Sequence, residues 1–271
     1  MMRSIPSVLF LMFFTPVALA QDAAVEYLAN EGVMVWQGET KILFDPLYDN
    51  SYGRYQMVPD RVRNAIFAGE APYDGVQAVF VSHHHGDHFS AEDMLRLLRE
   101  RQDIHFYAPA QAVVAVRELA TTDDQSVLDR MTGLDMEYGD SPVSITAGSL
   151  QIDAAFIPHS GWPTARTDIQ NIAFRVTLDN GLTVLHMGDA DARTVHFDAD
   201  DVYWEETTID VAMPPYWYFL SEDGVEILED RLDVIHAIGI HAPDEFSDPS
   251  NRPDKLFSYD VFTSPGEGRR F

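Results

Sequence analysis

A segment that reads as a β-strand, residues 76–81, runs straight into Ser82-His83-His84-His85-Gly86-Asp87-His88. Four histidines and an aspartate in six residues do not assemble for packing; a polar cluster this dense forms around a bound ion or a reaction. Two histidines separated by one residue at a strand end point to the same side. The tight turn that follows, eased by Gly86, brings Asp87 and His88 back toward that point. Imidazole nitrogen suits zinc, and a carboxylate compensates the charge of a second cation. Such a chain needs a layered fold in which strand ends meet at one place.

Three further polar residues stand at the ends of apolar runs. His159 lies in Phe156-Ile157-Pro158-His159-Ser160-Gly161, Asp189 in His186-Met187-Gly188-Asp189-Ala190, and His241 directly after Ile240. Alone, each such residue is more often a hydrogen-bonded core or surface group. Delivery at strand termini is how a sheet-based site gathers distant ligands. His186 and His236 sit inside apolar strands and read as structural histidines or as partners behind the ligands. His105 and His196 have no supporting context.

The remaining pattern sketches the scaffold. Residues 33–36 and 41–44 flank the turn Gln37-Gly38-Glu39-Thr40 and predict a hairpin. Asp45-Pro46 ends its second strand. Residues 46–74, with Tyr48, Tyr52, Tyr55 and Tyr73 among Gly, Pro, Asn and Arg, read as a long surface loop with one helical turn. Ser90 reads as the N-cap of a helix over 91–101, with Met94, Leu95, Leu97 and Leu98 on its buried side. A strand over 104–107 and a helix over 109–119 follow. Strands are predicted around 143–146, 150–157, 171–178 and 182–187, with the turn Asp179-Asn180-Gly181 between the last two. A strand at 209–213, a helix at 222–232 and a strand at 234–240 complete the set. The tail, 250–271, reads as a surface wrap. Antiparallel blocks of strands with helices between them predict an α/β domain of two packed sheets with helices outside.

Composition narrows the class. The chain has 271 residues, 18 basic and 44 acidic side chains, a net charge of −26 and no cysteine. Disulfides, thiolate metal sites and cysteine nucleophiles are therefore excluded. The acidity excludes nucleic acid as a partner, because phosphate binding runs on Lys and Arg. Residues 1–20 carry Arg3, an apolar run from Val8 to Phe14, Pro16 and Ala18-Leu19-Ala20. That layout predicts a signal peptide cut before Gln21, a domain over 21–271 without a stable membrane anchor, and a periplasmic or secreted location.

Taken together, these residues resemble the metallo-β-lactamase fold superfamily of metallohydrolases over most of 25–245. The resemblance implies a four-layer αβ/βα sandwich in a single domain, with the site between the sheets. It implies two divalent metal ions, zinc before iron or manganese. Carried over by position, His83, His85 and His159 hold one ion, Asp87, His88 and His241 the other, and Asp189 bridges them. His84 is the variable position of the motif. A pair of such ions generates hydroxide at neutral pH and polarises the scissile carbonyl or phosphoryl oxygen. Asp87 is implied to orient the hydroxide and take its proton.

The bridging carboxylate implied for Asp189 argues against β-lactamase activity and for esterase, lactonase or phosphodiesterase branches. The layout is similar to the branch holding the sugar-lactone hydrolases and N-acyl phospholipid phospholipase D enzymes. The expectation is an exported hydrolase of a small ester, lactone or phosphodiester. The alternatives are an exported metal-binding protein with a non-catalytic site and a non-haem iron oxidoreductase of the same fold. Tyr216-Trp217-Tyr218-Phe219 reads either as core at a helix entrance or as a hydrophobic wall beside the metals, with Trp162 and the tyrosines of 46–74. The acidic run 198–210 reads as a solvated face, and its spacing matches no calcium loop.

Overall fold

The computed structural model describes residues 23–198 and 201–271. The leader expected over 1–20 lies outside the described residues. The first sheet takes β1 (Ala23–Ala29), β2 (Gly32–Gln37), β3 (Thr40–Phe44), β4 (Val76–Phe80), β5 (His105–Pro109) and β6 (Met131–Leu134) in that spatial order. The second takes β7 (Val143–Ala147), β8 (Leu150–Phe156), β9 (Ile172–Thr177), β10 (Thr183–His186), β11 (Ile209–Met213), β12 (Val234–Gly239) and β13 (Asp260–Val261). A last strand, β14 (Gly268–Arg270), returns to pair antiparallel with β1. Both sheets are mixed. β1–β3 and β7–β10 are antiparallel, whereas β3–β6 and β10–β13 pair in parallel.

The period-two alternation of each strand assigns its side chains to one of two layers. Ile42, Phe44, Ala78 and Phe80 meet Ile152, Phe174, Val184 and Val211 between the sheets. Leu43, Val79 and Val81 face the other way, onto α1 (Asp60–Ala68), α2 (Ala91–Glu100) and α3 (Ala110–Leu119). A third apolar layer, with Leu185, Ala212, Trp204, Phe219 and Leu228, covers the outside of the second sheet. The result is the expected four-layer αβ/βα sandwich in one domain. α2 begins where Ser90 Oγ accepts the Asp93 N–H, and it buries Met94, Leu95, Leu97 and Leu98 as its period requires. Among the described residues no helix is long and apolar enough to cross a membrane.

Four expectations change. The 46–74 segment contains α1, nine residues long, which buries Val62, Ile66 and Phe67 and closes on Gly69 in the left-handed conformation. The tyrosines around it masked that short apolar stripe, and Tyr48 and Tyr73 are themselves buried. The helix at 222–232 is α-helical only over Glu222–Glu226 and then widens into a π-type turn, in which Leu232 N–H donates to Ile227 C=O. The tail lies mostly at the surface, as expected, but it also supplies the edge strands β13 and β14 and is anchored in the core by Phe262, which is fully buried and stacks on Tyr27 at 5.2 Å. β1 and β6 are not among the predicted strands; β1 is buried on both faces and so lacks a clean alternation, and β6 is only four residues long.

Candidate metal centre

All seven sequence-predicted site residues come together at one end of the sandwich, each on a loop leaving a strand. β4 delivers residues 83–88, β8 His159, β10 Asp189 and β12 His241. His83 Nε2 lies 3.0 Å from His85 Nδ1, which lies 3.1 Å from His159 Nε2. His159 Nε2 is also 3.1 Å from Asp189 Oδ2. On the other side, Asp189 Oδ1 is 3.0 Å from His241 Nε2 and 3.4 Å from His88 Nε2. Asp87 Oδ2 stands 3.8 Å from His88 Nε2 and 4.0 Å from His241 Nε2. Among the described residues four sets of side chains could hold a metal ion, and the seven predicted residues make up two of them. One is His83, His85, His159 and Asp189; the other is Asp87, His88 and His241, with Asp189 between them. His84 belongs to neither.

The donor set fits divalent cations. Five imidazoles and two carboxylates converge with their donor atoms facing one another, and His88 Nε2 and Asp189 Oδ1 are buried without hydrogen-bond partners. Such orphaned atoms are costly unless something binds them. Burial pushes the His83 imidazole well below its ordinary range, and burial with His159 and His88 alongside pushes His85 down to about 4. Both are therefore neutral at pH 7, the form that ligates. For His88, burial opposes the charge, but Asp189, Asp45 and Asp87 outweigh it and hold the imidazolium well above its usual range. Burial likewise opposes charge on Asp189, and His241, His88 and His159 outweigh it, so its carboxyl is held well below the carboxylate range.

The residues that orient this cluster are largely ones that sequence reasoning passed over. Asp45, at the end of β3 with φ of 40°, accepts from Ser82 N–H at 2.8 Å and from Ser82 Oγ at 2.6 Å, and sits 2.9 Å from His88 Nδ1. Asn30, in the β1–β2 turn, faces His241 Nδ1 through its Oδ1 and donates from Nδ2 to the Asp87 carbonyl. Asn171 donates to the carbonyls of Ile157 and Met187, both at 3.1 Å, and accepts the Asp189 N–H at 3.0 Å. Two backbone bonds clamp the sheets together here, Ile172 N–H to Ser82 C=O and His241 N–H to Asn30 C=O. The available signal was strand-ending polar residues, such as Asp45 before Pro46; for Asn30 and Asn171 no spacing marked them.

Gly188 shows how tight this packing is. Its φ is +55°, and an added Cβ would stand 2.5 Å from both Asn171 Oδ1 and Ser82 Cβ. Gly188→Ala is expected to cost about 2–4 kcal/mol, from strain and overpacking together. Chemical denaturation reads the loss; a change under 0.5 kcal/mol would show that the loop relaxes freely.

His196, given no context from sequence, is buried beside Asp191, with Nε2 3.0 Å from Asp191 Oδ1, and packs edge-on against Trp162 and Tyr138. His186 packs flat on Phe44 and bonds to the Glu31 carbonyl; His236 is exposed on β12, near Phe271. The aromatic segment divides by position. Tyr218 and Phe219 are core, whereas Trp217 packs edge-on to His241 at 5.3 Å and donates from Nε1 to the Ala190 carbonyl. Tyr55, from the 46–74 segment, stacks on His241 at 4.2 Å. A cavity of about 410 Å³ opens beside His159, walled by Tyr138, Phe156, Trp162, Arg166 and Gln170. A hollow of about 450 Å³, lined by Phe219, Leu228 and Ile235, lies at the opposite end of β12, away from the histidines. Among the described residues, the acidic run 198–210 contributes to no metal-donor group.

The family model for the beta-lactamase superfamily domain matches residues 40–219. The chain belongs to the metallo-β-lactamase superfamily. No curated protein matches it in sequence. Among solved structures it is similar to Igni18, a metallo hydrolase from the hyperthermophilic archaeon Ignicoccus hospitalis. Identity is 18%, with 92% of this chain and 98% of that one covered, at a TM-score of 0.59. It is also similar to CmlA, a diiron β-hydroxylase from Streptomyces venezuelae, at 13% identity and a TM-score of 0.56. That match covers 93% of this chain but 54% of CmlA, so the present chain spans about half of that protein. At these identities the likeness is one of fold.

Proposed function

We propose that this chain is an exported metal-dependent hydrolase that cleaves a small ester, lactone or phosphodiester. The observation that carries the reading is the convergence of seven donor side chains in two groups, with Asp189 in the first and its Oδ1 3.0 Å from His241 and 3.4 Å from His88 in the second. His83, His85 and His159 would hold one divalent ion, Asp87, His88 and His241 the other, and Asp189 both, with zinc favoured by the imidazole-rich set. Two such ions supply a hydroxide nucleophile at neutral pH and a Lewis acid for the scissile oxygen. The protein's own part is positional. Asp45 and Asn30 fix the rings of His88 and His241 from behind, so each presents Nε2 to the centre. Asp87 lies on the rim of both imidazoles and takes the proton of the attacking water. Tyr138, Trp162 and Phe156 offer flat apolar walls to the part of the substrate that does not react.

The chain's field of −26 opposes strongly anionic substrates and nucleic acid, so a neutral or weakly charged small molecule is the favoured substrate. The leader-like residues 1–20 support a periplasmic or secreted location.

Metal analysis of the purified protein, paired with a panel of esters, lactones and phosphodiesters, tests this. Two ions per chain and turnover are expected; less than one ion per chain overturns the reading. Metal without turnover across the panel would favour a non-catalytic metal-binding protein. The fold likeness to the diiron β-hydroxylase supports a second reading, a non-haem iron oxidoreductase. It requires iron and oxygen consumption, and a zinc-only active protein excludes it. Asp87→Ala is expected to lower turnover by roughly 10²–10⁴-fold, the range for removing a positioned acid–base group. Near-normal turnover would remove Asp87 from the chemistry.

A further inference from the structure

Behind the two donor groups lies a carboxylate that they do not use. Glu31 sits in the β1–β2 turn next to Asn30 and is 0% exposed. Neither of its carboxyl oxygens has a hydrogen-bond partner. His186 Nε2 comes within 3.2 Å of Oε2 but donates to the Glu31 backbone carbonyl at 3.0 Å. An ionised glutamate is costly to bury unless something pairs with it.

Its position says what does. The orphaned atoms Glu31 Oε1, Glu31 Oε2, His88 Nε2 and Asp189 Oδ1 belong to one neighbourhood. A Glu31 oxygen lies within 4.8 Å of donor atoms of both Asp189 and His241. It also lies within 4.8 Å of donor atoms of Asp45 and His88, but both Asp45 oxygens are already engaged by Ser82 and His88 Nδ1. The open direction is therefore toward Asp189 and His241. Charge points the same way. Glu31, Asp45, Asp87 and Asp189 are all buried here, and among the described residues no lysine or arginine pairs with any of them. Four buried carboxylates match the charge of two dications before any bound hydroxide is counted, so the pocket can carry Glu31 in its ionised form once both ions are present.

We propose that Glu31 is a further ligand of the metal pair, closing the coordination of the ion held by Asp87, His88 and His241 from beneath. The inference rests on the dinuclear reading and makes that second position richer in oxygen than the first. Its donors become three carboxylates and two imidazoles, a set that admits the harder Mn²⁺ and Fe²⁺ more readily than the His-rich position does.

The test compares wild type, Glu31→Gln and Glu31→Asp, each loaded with Zn²⁺ or Co²⁺ and titrated with a chelator. Stoichiometry by mass spectrometry, the visible spectrum of the Co²⁺ form and the melting of the metal-free form are the readouts. In Glu31→Gln the first ion is retained, and the second binds at least about 10-fold more weakly. The Co²⁺ bands change with the lost ligand. The metal-free Gln variant melts no lower than wild type, because an amide donor replaces one of four neighbouring acids. Glu31→Asp keeps the charge but shortens the reach, and loses the second ion as well. A Gln variant that holds both ions with wild-type affinity and spectrum overturns the inference and leaves the dinuclear reading standing. So does one that merely melts lower without metal, which would make Glu31 an anchor for the turn. A wild-type chain that binds no second ion overturns both.

Discussion

Asp189→Ala is expected to leave a folded protein that retains less than one metal ion per chain and loses at least about 10³-fold in turnover. The size follows from how much depends on one carboxylate. Its Oδ2 meets His159 and its Oδ1 meets His241 and His88, so it reaches ligands of both candidate groups. Of the seven donors predicted from sequence, five imidazoles and Asp87 remain without it, and neither Asp87 nor Glu31 falls in a donor group with His83, His85 and His159. Two adjacent dications would then repel across a gap with no shared anion. Loss of a ligand that is also the bridge removes hydroxide activation and oxyanion stabilisation together, and effects of groups acting as a unit do not divide between them. Asp189→Asn separates charge from shape: it keeps the volume and one acceptor oxygen, and an intermediate metal occupancy is expected. Metal analysis with circular dichroism checks the claim. A folded Asp189→Ala protein that still carries two ions would remove Asp189 from the bridge.

The second large effect is structural. Asn171→Ala should cost about 3–5 kcal/mol, or on the order of 10 °C in melting temperature for a domain of this size. One fully buried side chain ties three loop segments. It donates to Ile157 C=O before His159 and to Met187 C=O before Asp189, and it accepts the Asp189 N–H. Truncation leaves three buried backbone groups without partners, each carrying its desolvation penalty. It also frees the two loops that carry His159 and Asp189, so metal affinity should fall with stability although Asn171 touches no ion. Thermal melting and chelator titration read the two effects separately. A loss under 1 kcal/mol would mean that water fills the hole and takes over all three bonds.

Much of this centre was legible because its chemistry is local in sequence where it is densest. The His83–His88 cluster declares itself through spacing alone, since a strand end and one tight turn bring those donors together. His159, Asp189 and His241 were legible more weakly, as polar residues at the ends of apolar runs. What could not be read was the layer behind them. Asn30, Asp45 and Asn171 are ordinary turn residues by type, and only the stacking of two sheets brings them to the rings and amides they hold. Glu31 was illegible for the opposite reason. A glutamate before a glycine reads as a solvated turn, and its burial follows from the second sheet closing over it. In the scaffold, long amphipathic elements such as α2 were plain. The seven-residue β1 and the short β6 and β14 were not, because their partners are set by tertiary pairing rather than by their own pattern.

The closing pair of the first sheet has a consequence for the order in which the molecule is made. β1 lies among the first described residues and β14 among the last, with Phe271 N–H donating to Ala23 C=O. β1 is therefore synthesised long before β14, and its outer row of amides and carbonyls stays uncovered until residues 268–270 emerge. Throughout that interval it offers an open edge to any other chain. When β14 arrives it brings Arg269 and Arg270 in a strand of three residues, and Arg269 is pinned to Asp260. A short, doubly charged edge strand is poor bait for a neighbour's strand, so this edge of the sheet resists growing further.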